Sequence, residues 1–407
     1  MSVLMLILKL RKWMYWNLLR NSQIKIFCIF FPLEKGRVAK MAIESPIRLV
    51  EEVVNKCVER YIPYSVMFEL TYRCNLNCRH CFIVKDGNIN ELSTEEVKNI
   101  IDQLVEMGTF FLAFTGGEIF MRDDLFEIAW HAKRKGFLLT FMTNGTLITP
   151  EKVEEIRKMK PVKFEFSLYG ATAKTHDYIT RVKGSFERTV EAIKRLVECG
   201  IDVTIKTVLM NLNVKEREEM EALAEELGAH PRINPGLAPR RDGSLEPLKY
   251  DLSFEEMIEY LPEDYDGVML SYLSEKSKDI SDRFICKAGK AGCCISPDGT
   301  VYPCVMMPIP VGNLREKSFK EIWHTQPSKE LKRLRNLTAH DLTTCPSCDL
   351  APFCIRCPGV VYLETGDIVG ASPSACKYAR WRKYVRTHHG NTATSIGGLY
   401  YEKTKGR

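Results

Sequence analysis

The chain has 407 residues, 45% of them hydrophobic and 27% charged, and a formal net charge of +6. This composition excludes a largely disordered protein and is enough for one large domain with a smaller one, or two medium domains. Eight Lys and Arg stand against Glu34 alone in residues 1–40, so the rest of the chain is near neutral and the basic total is no argument for a nucleic-acid partner.

The basic head, taken as residues 1–61, contains two apolar runs, VLMLIL at 3–8 and IKIFCIFF at 24–31. Both are too short to cross a bilayer, and no small-residue cleavage site follows them. Three readings fit: an interfacial amphipathic helix giving membrane contact through residues 1–31, a docking segment, or residues upstream of a true start at Met41.

From about 62 to 235, short β-rich runs alternate with longer amphipathic ones. The runs at 65–72, 109–114, 137–142, 162–168, 202–209 and 229–234 predict strands. The periodicity at 93–107, 123–135, 149–159, 185–199 and 215–227 predicts helices. Ser93 followed by Glu96 predicts a capping box, and Gly108, Gly136, Gly200 and Gly228 stand where left-handed residues end helices. Six such units imply parallel strands with right-handed crossovers, an α/β partial (β/α)6 barrel over 62–282. A further helical stretch is predicted at 253–281.

Fifteen cysteines are distributed unevenly. Cys28, Cys57 and Cys199 stand apart, three more fall at 74–81, and nine fall at 286–376. A disulfide scaffold would be expected to carry a secretory route and a small core, and this sequence reads as having neither. Close cysteine spacing therefore points to thiolate–metal sites. The segment 283–380 is turn-rich and poor in apolar periodicity, apart from pieces such as 316–337, and reads as a small metal-nucleated iron–sulfur domain. Residues 381–407 form a basic, Gly/Thr-rich tail.

Cys74, Cys78 and Cys81, in CNLNCRHC, form a CxxxCxxC trio directly after the first predicted strand. Three thiolates on one loop can hold three irons of a [4Fe–4S] cube and leave the fourth open to a substrate or cofactor. A zinc site would lack its fourth ligand. Thr115-Gly116-Gly117-Glu118 follows the second strand, Thr143-Asn144-Gly145 ends the third and Ser167 ends the fourth.

This pattern resembles the radical S-adenosylmethionine (radical SAM) superfamily over roughly 65–235. The resemblance implies a [4Fe–4S] cluster on the trio that binds S-adenosylmethionine and reductively cleaves it to a 5′-deoxyadenosyl radical, which abstracts hydrogen from substrate. It also implies cofactor contacts from Gly116, Gly117, Glu118, Asn144, Ser167 and Arg181. Glu118 would face the methionine ammonium, Ser167 the ribose and Arg181 the carboxylate. Lys206, Thr207 and Asn211 are weaker candidates. Tyr169 stands where relatives often have an acidic residue. No residue is assigned to catalysis itself.

Cys286 is followed after twelve residues by Gly299 and after four more by Cys304; Cys345, Cys348, Cys354, Cys357 and Cys376 come later. This resembles the seven-cysteine SPASM extension, with a two-residue gap in CIRC where three is usual. The resemblance implies two auxiliary [4Fe–4S] clusters, one on Cys286, Cys304 and Cys357 with Cys294 or Cys293, the other on Cys345, Cys348, Cys354 and Cys376. Zinc in either set is the alternative.

SPASM-bearing relatives modify peptides and proteins, so the expected reaction is hydrogen abstraction from a peptide or protein substrate. The expected setting is the cytoplasm, with a low-potential electron donor such as ferredoxin or flavodoxin. Val305 replaces the aspartate that follows Cys304 in sulfatase-maturing relatives, which argues against that activity. A radical enzyme of a small-molecule cofactor or lipid pathway, or a non-catalytic iron–sulfur scaffold, are the alternatives.

Overall fold

The computed structural model describes residues 31–32, 38–39, 46–84, 89–262 and 286–389. Six strands run parallel in chain order: β1 (Ser65–Thr71), β2 (Phe111–Gly116), β3 (Leu138–Thr143), β4 (Lys163–Ser167), β5 (Val203–Leu209) and β6 (His230–Pro235). Each lies within two residues of its sequence-predicted position. Helix α1 (Pro46–Glu59) precedes them. Helices α2 (Thr94–Glu106), α3 (Leu125–Arg134) and α4 (Pro150–Met159) make the first crossovers. Helix α5 (Ala173–Thr180) and α6 (Ser185–Glu198) follow β4, and α7 (Arg217–Glu226) leads to β6.

One register explains why the sheet and helices hold together. Phe68, Phe114, Phe141 and Phe164 pair across β1 to β4 in a single row, continued by Val203 on β5. All four rings are at most 1% exposed, and the Phe141 and Phe164 rings stack at 4.9 Å. Burying each ring contributes about 1.5–3 kcal/mol. Strand alternation then turns the neighbouring residues, among them Glu69, Glu165 and Ser167, to the opposite, inner face. Helix α2 starts with the expected reciprocal Ser93–Glu96 capping box and buries Val97, Ile100, Ile101 and Leu104. Gly108, Gly136, Gly200 and Gly228 all take positive φ.

The sheet does not stop at six strands. Strand β7 (Gly292–Ile295) runs parallel to β1, with Met67 opposite Cys294. Strands β8 (Thr300–Tyr302) and β9 (Gly312–Asn313) extend it antiparallel. The cysteine-rich segment therefore adds its first strands to the edge of the barrel sheet. It continues through α9 (Lys329–Asn336), α10 (Pro358–Thr365) and α11 (Pro373–His389), after α8 (Phe254–Tyr260). Helix α8 is the described part of the stretch predicted at 253–281; the stretch beyond residue 262 lies outside the described residues, as do residues 1–30 and 390–407. No described helix is long and apolar enough to cross a membrane.

Candidate active site

The cysteine loop leaves β1 at Thr71 and is held from two sides. The Asn77 and Arg79 amides donate to the last carbonyls of α5, Thr180 O (3.1 Å) and Ile179 O (3.0 Å). On the other side the loop packs against the end of β2, where the paired glycines matter. A Cβ on Gly116 would stand 2.2 Å from Thr71 O, and one on Gly117 2.3 Å from Arg73 O. Gly116 also has φ +133°. Their absent side chains admit this chain's own backbone on its way to Cys74. The Gly117 and Glu118 amides donate to Thr71 O and Arg73 O at 2.8 and 2.9 Å.

Glu118 is fully buried, and burial pushes its carboxyl above the usual range. It accepts from Thr143 Oγ1 (2.7 Å), Asn144 N (2.8 Å) and Phe120 N (3.1 Å). Those bonds tie the end of β2 to the end of β3, so the carboxylate braces the strand ends rather than projecting into open space. Asn144 continues the brace: its Nδ2 donates to Asn75 Oδ1 (2.9 Å) and lies 4.0 Å from Cys74 Sγ, while its Oδ1 accepts from Thr146.

On the inner side of the loop stands an aromatic group in which His80 and His176 are buried and Tyr169 is half-buried. The Tyr169 ring meets the His80 ring edge-on at 4.3 Å and stacks on His176 at 5.9 Å. Ser167 hydrogen-bonds the Tyr169 phenol, whose pKa is raised first by burial and then by Cys78, Cys81 and Cys74. Tyr169 thus lies within electrostatic reach of all three loop cysteines, in the place where relatives often have an acid. The Tyr169 amide donates to His176 Nδ1 (3.0 Å), which puts the neutral ring's proton on Nε2. Burial pushes His80 and His176 each down to about 4. Arg181 stands outside this group as the exposed, left-handed C-cap of α5.

Cys286 and Cys304 each lie within electrostatic reach of Cys357, and Cys354 and Cys376 within reach of Cys345, with Cys348 also acting on Cys376. Cys293 and Cys294 point to opposite faces of β7. Cys293 belongs to the helix-side core with Val66 and Ile295, whereas Cys294 feels Glu69 and Arg241 on the inner face; both are near Cys304. Burial pushes the Cys304 and Cys354 thiols up to about 11, so ligation must displace their protons. Among the described residues no His, Cys, Asp or Glu group closes to the spacing of a single-ion site.

One group was not anticipated from sequence. Arg241 grips Glu69 with both nitrogens at 2.7 Å, reaches Tyr72 OH at 2.6 Å and donates to Val305 O at 3.0 Å. Its amide also donates to Phe82 O (2.9 Å), directly after Cys81. A single side chain thus joins β1, the cysteine loop and the residue next to Cys304. The signal available was Glu69, a charge within an otherwise apolar strand.

Comparison with known proteins agrees with this geometry. The Radical SAM superfamily pattern matches residues 68–227, and the SPASM iron–sulfur cluster-binding domain matches residues 286–349. The AdoMet-dependent heme synthase of Methanosarcina barkeri is 31% identical, over 79% of this chain and 98% of that protein. The mycofactocin maturase MftC of Mycolicibacterium smegmatis is 33% identical, over 70% of this chain and 75% of that protein. Streptococcus suis SuiB, solved bound to its precursor peptide SuiA, shares the fold with a TM-score of 0.61 and 16% identity, covering 90% of this chain and 87% of that one. The chain belongs to the radical SAM superfamily: it is a SPASM-bearing enzyme of [4Fe–4S] clusters and S-adenosylmethionine.

Proposed function

We propose that this enzyme abstracts hydrogen from a peptide or protein substrate to install a post-translational modification. Cys74, Cys78 and Cys81 hold the catalytic cluster, and the edge formed by Gly116, Gly117, Glu118, Asn144 and Ser167 holds S-adenosylmethionine. When bound, these groups supply a carbon radical able to take a hydrogen atom from an unactivated C–H bond. The chain's own part is positioning. Glu118 and Asn144 fix the strand ends around the loop, and the buried His80 and His176 rings line its inner side with the half-buried Tyr169.

The observation that carries this reading is the union of β7 with β1. It puts Cys294 on the inner face of the same sheet whose strand ends hold the catalytic trio. An auxiliary cluster held by thiolates so placed, with Cys294 preferred over Cys293, would supply an electron acceptor for a substrate radical. Maturases such as MftC and the peptide-bound SuiB support a peptide substrate. Fifteen cysteines and oxygen-sensitive clusters fit the reducing cytoplasm, with ferredoxin or flavodoxin as electron donor.

A second reading has its own support. The heme synthase relative is matched over nearly its whole length. On the inner face, Lys206 and Arg232 stand 3.1 and 3.9 Å from the one buried carboxylate of Glu165, an excess of positive charge suited to a carboxylate-bearing small molecule. Anaerobic co-expression with short peptides encoded beside the gene, followed by mass spectrometry, tests the first reading. A mass change on a peptide supports it; unchanged peptides with turnover of a propionate-bearing porphyrin would replace it with the second.

A further inference from the structure

The solvent side of the cysteine loop has a distinct chemical character. Arg79, between Cys78 and Cys81, lays its guanidinium 4.0 Å over the Tyr178 ring and donates to Tyr178 O at 2.9 Å. The Tyr250 hydroxyl hydrogen-bonds both Arg79 and Lys249. Lys249 and Arg240 reach the two oxygens of Glu246 at 2.9 and 3.3 Å, and the Arg181 charge acts on the same carboxylate. Asp242 is the other acid here, capping Ser244 N. Four cations therefore face two carboxylates. Tyr178, under Arg79, and Leu245, directly before Glu246, are 54% and 51% exposed, the two most exposed large hydrophobic side chains among the described residues.

We infer that this face docks a small acidic electron-carrier protein of the flavodoxin type. The inference rests on the reading that Cys74, Cys78 and Cys81 hold the catalytic cluster. That centre must be reduced by one electron per cleavage, the carrier is oxidised by one, and no atom passes between them. Electron-transfer encounters are small and transient, steered by opposite charge around a modest apolar contact. The Arg79, Arg240 and Lys249 ring supplies the steering and Tyr178 with Leu245 supplies the contact. Arg79 is separated from Cys78 and from Cys81 by at most one residue, so a carrier seated here sits directly over the loop.

The test uses anaerobically reconstituted enzyme, wild type and the variants Lys249→Glu and Leu245→Ser. 5′-Deoxyadenosine formation is driven by reduced flavodoxin in one arm and by dithionite in the other. Binding of oxidised flavodoxin is followed by flavin fluorescence at about 50 and about 300 mM salt. The expected result is a roughly tenfold loss of flavodoxin-driven rate and affinity in Lys249→Glu, a smaller loss in Leu245→Ser, and a dithionite-driven rate unchanged in both. Wild-type affinity for flavodoxin should fall with salt. Equal losses in both arms, or full flavodoxin-driven activity in both variants, would overturn the docking surface. Absence of dithionite-driven cleavage in the wild type would instead count against the cysteine-loop reading, and the binding arm would still decide the docking.

Discussion

Removing Arg241 is the perturbation whose size the structure fixes best. Glu69 is 1% exposed, and the guanidinium is its bidentate partner. Deleting one member of a buried pair leaves the other charge uncompensated, at about 3–5 kcal/mol. The Val305 carbonyl and the Tyr72 hydroxyl also lose a partner, about 1 kcal/mol or more each. Arg241→Met should therefore destabilise the protein by about 4 kcal/mol or more. Glu69→Gln should also destabilise it, and the double variant should lose at least about 2 kcal/mol less than the sum. Arg241→Lys should fall between, since an ammonium keeps the charge without the fork. Anaerobic urea unfolding followed by tryptophan fluorescence gives these values. An Arg241→Met change within about 1 kcal/mol of wild type, or strictly additive single losses, would refute the claim that this residue holds loop and sheet together.

Two further outcomes follow from the same geometry. Gly117→Ala forces a Cβ against Arg73 O and must displace the backbone leading to Cys74; it should lose about four irons per chain with the auxiliary absorbance retained, measured by iron analysis, and full iron content would contradict it. His176 is buried with its pKa lowered from 6.5 to about 4, through desolvation with Asp177 opposing. The unfolded chain binds the proton first, so His176 contributes stability present above about 6.5 that is lost as pH falls towards 4, up to about 3 kcal/mol. His176→Gln should flatten that acid limb of the unfolding profile, and an unchanged slope would show that the group does not titrate there.

The barrel was legible because its strands and helices each announce themselves locally. The row of Phe68, Phe114, Phe141 and Phe164 sits in runs long enough to read, and the helix ends carry their own glycines. Strand β7 was not legible. Its four residues GCCI look like metal ligands, and its partner β1 lies more than two hundred residues away in sequence. Helix α5 is hidden by the polar segment AKTHDYIT, with apolar burial at Ile179 and little besides.

The cysteine partition came only from the SPASM resemblance, and the facing of Cys293 and Cys294 needed strand alternation. Two of the donors to Glu118, Thr143 and Asn144, lie about 25 residues on, and only the folded sheet brings them to it. Arg241 gave no local sign, since RRDG reads as an ordinary turn.

The central claim is that the Cys74–Cys81 loop holds a cluster with one iron free to bind S-adenosylmethionine. Low-temperature electron paramagnetic resonance of the reduced, anaerobic enzyme tests it directly. A cubane signal should be present, should change shape when S-adenosylmethionine is added, and should disappear in the Cys74, Cys78, Cys81→Ala triple variant while auxiliary signals persist. A spectrum indifferent to S-adenosylmethionine, or unchanged in the triple variant, would contradict the account.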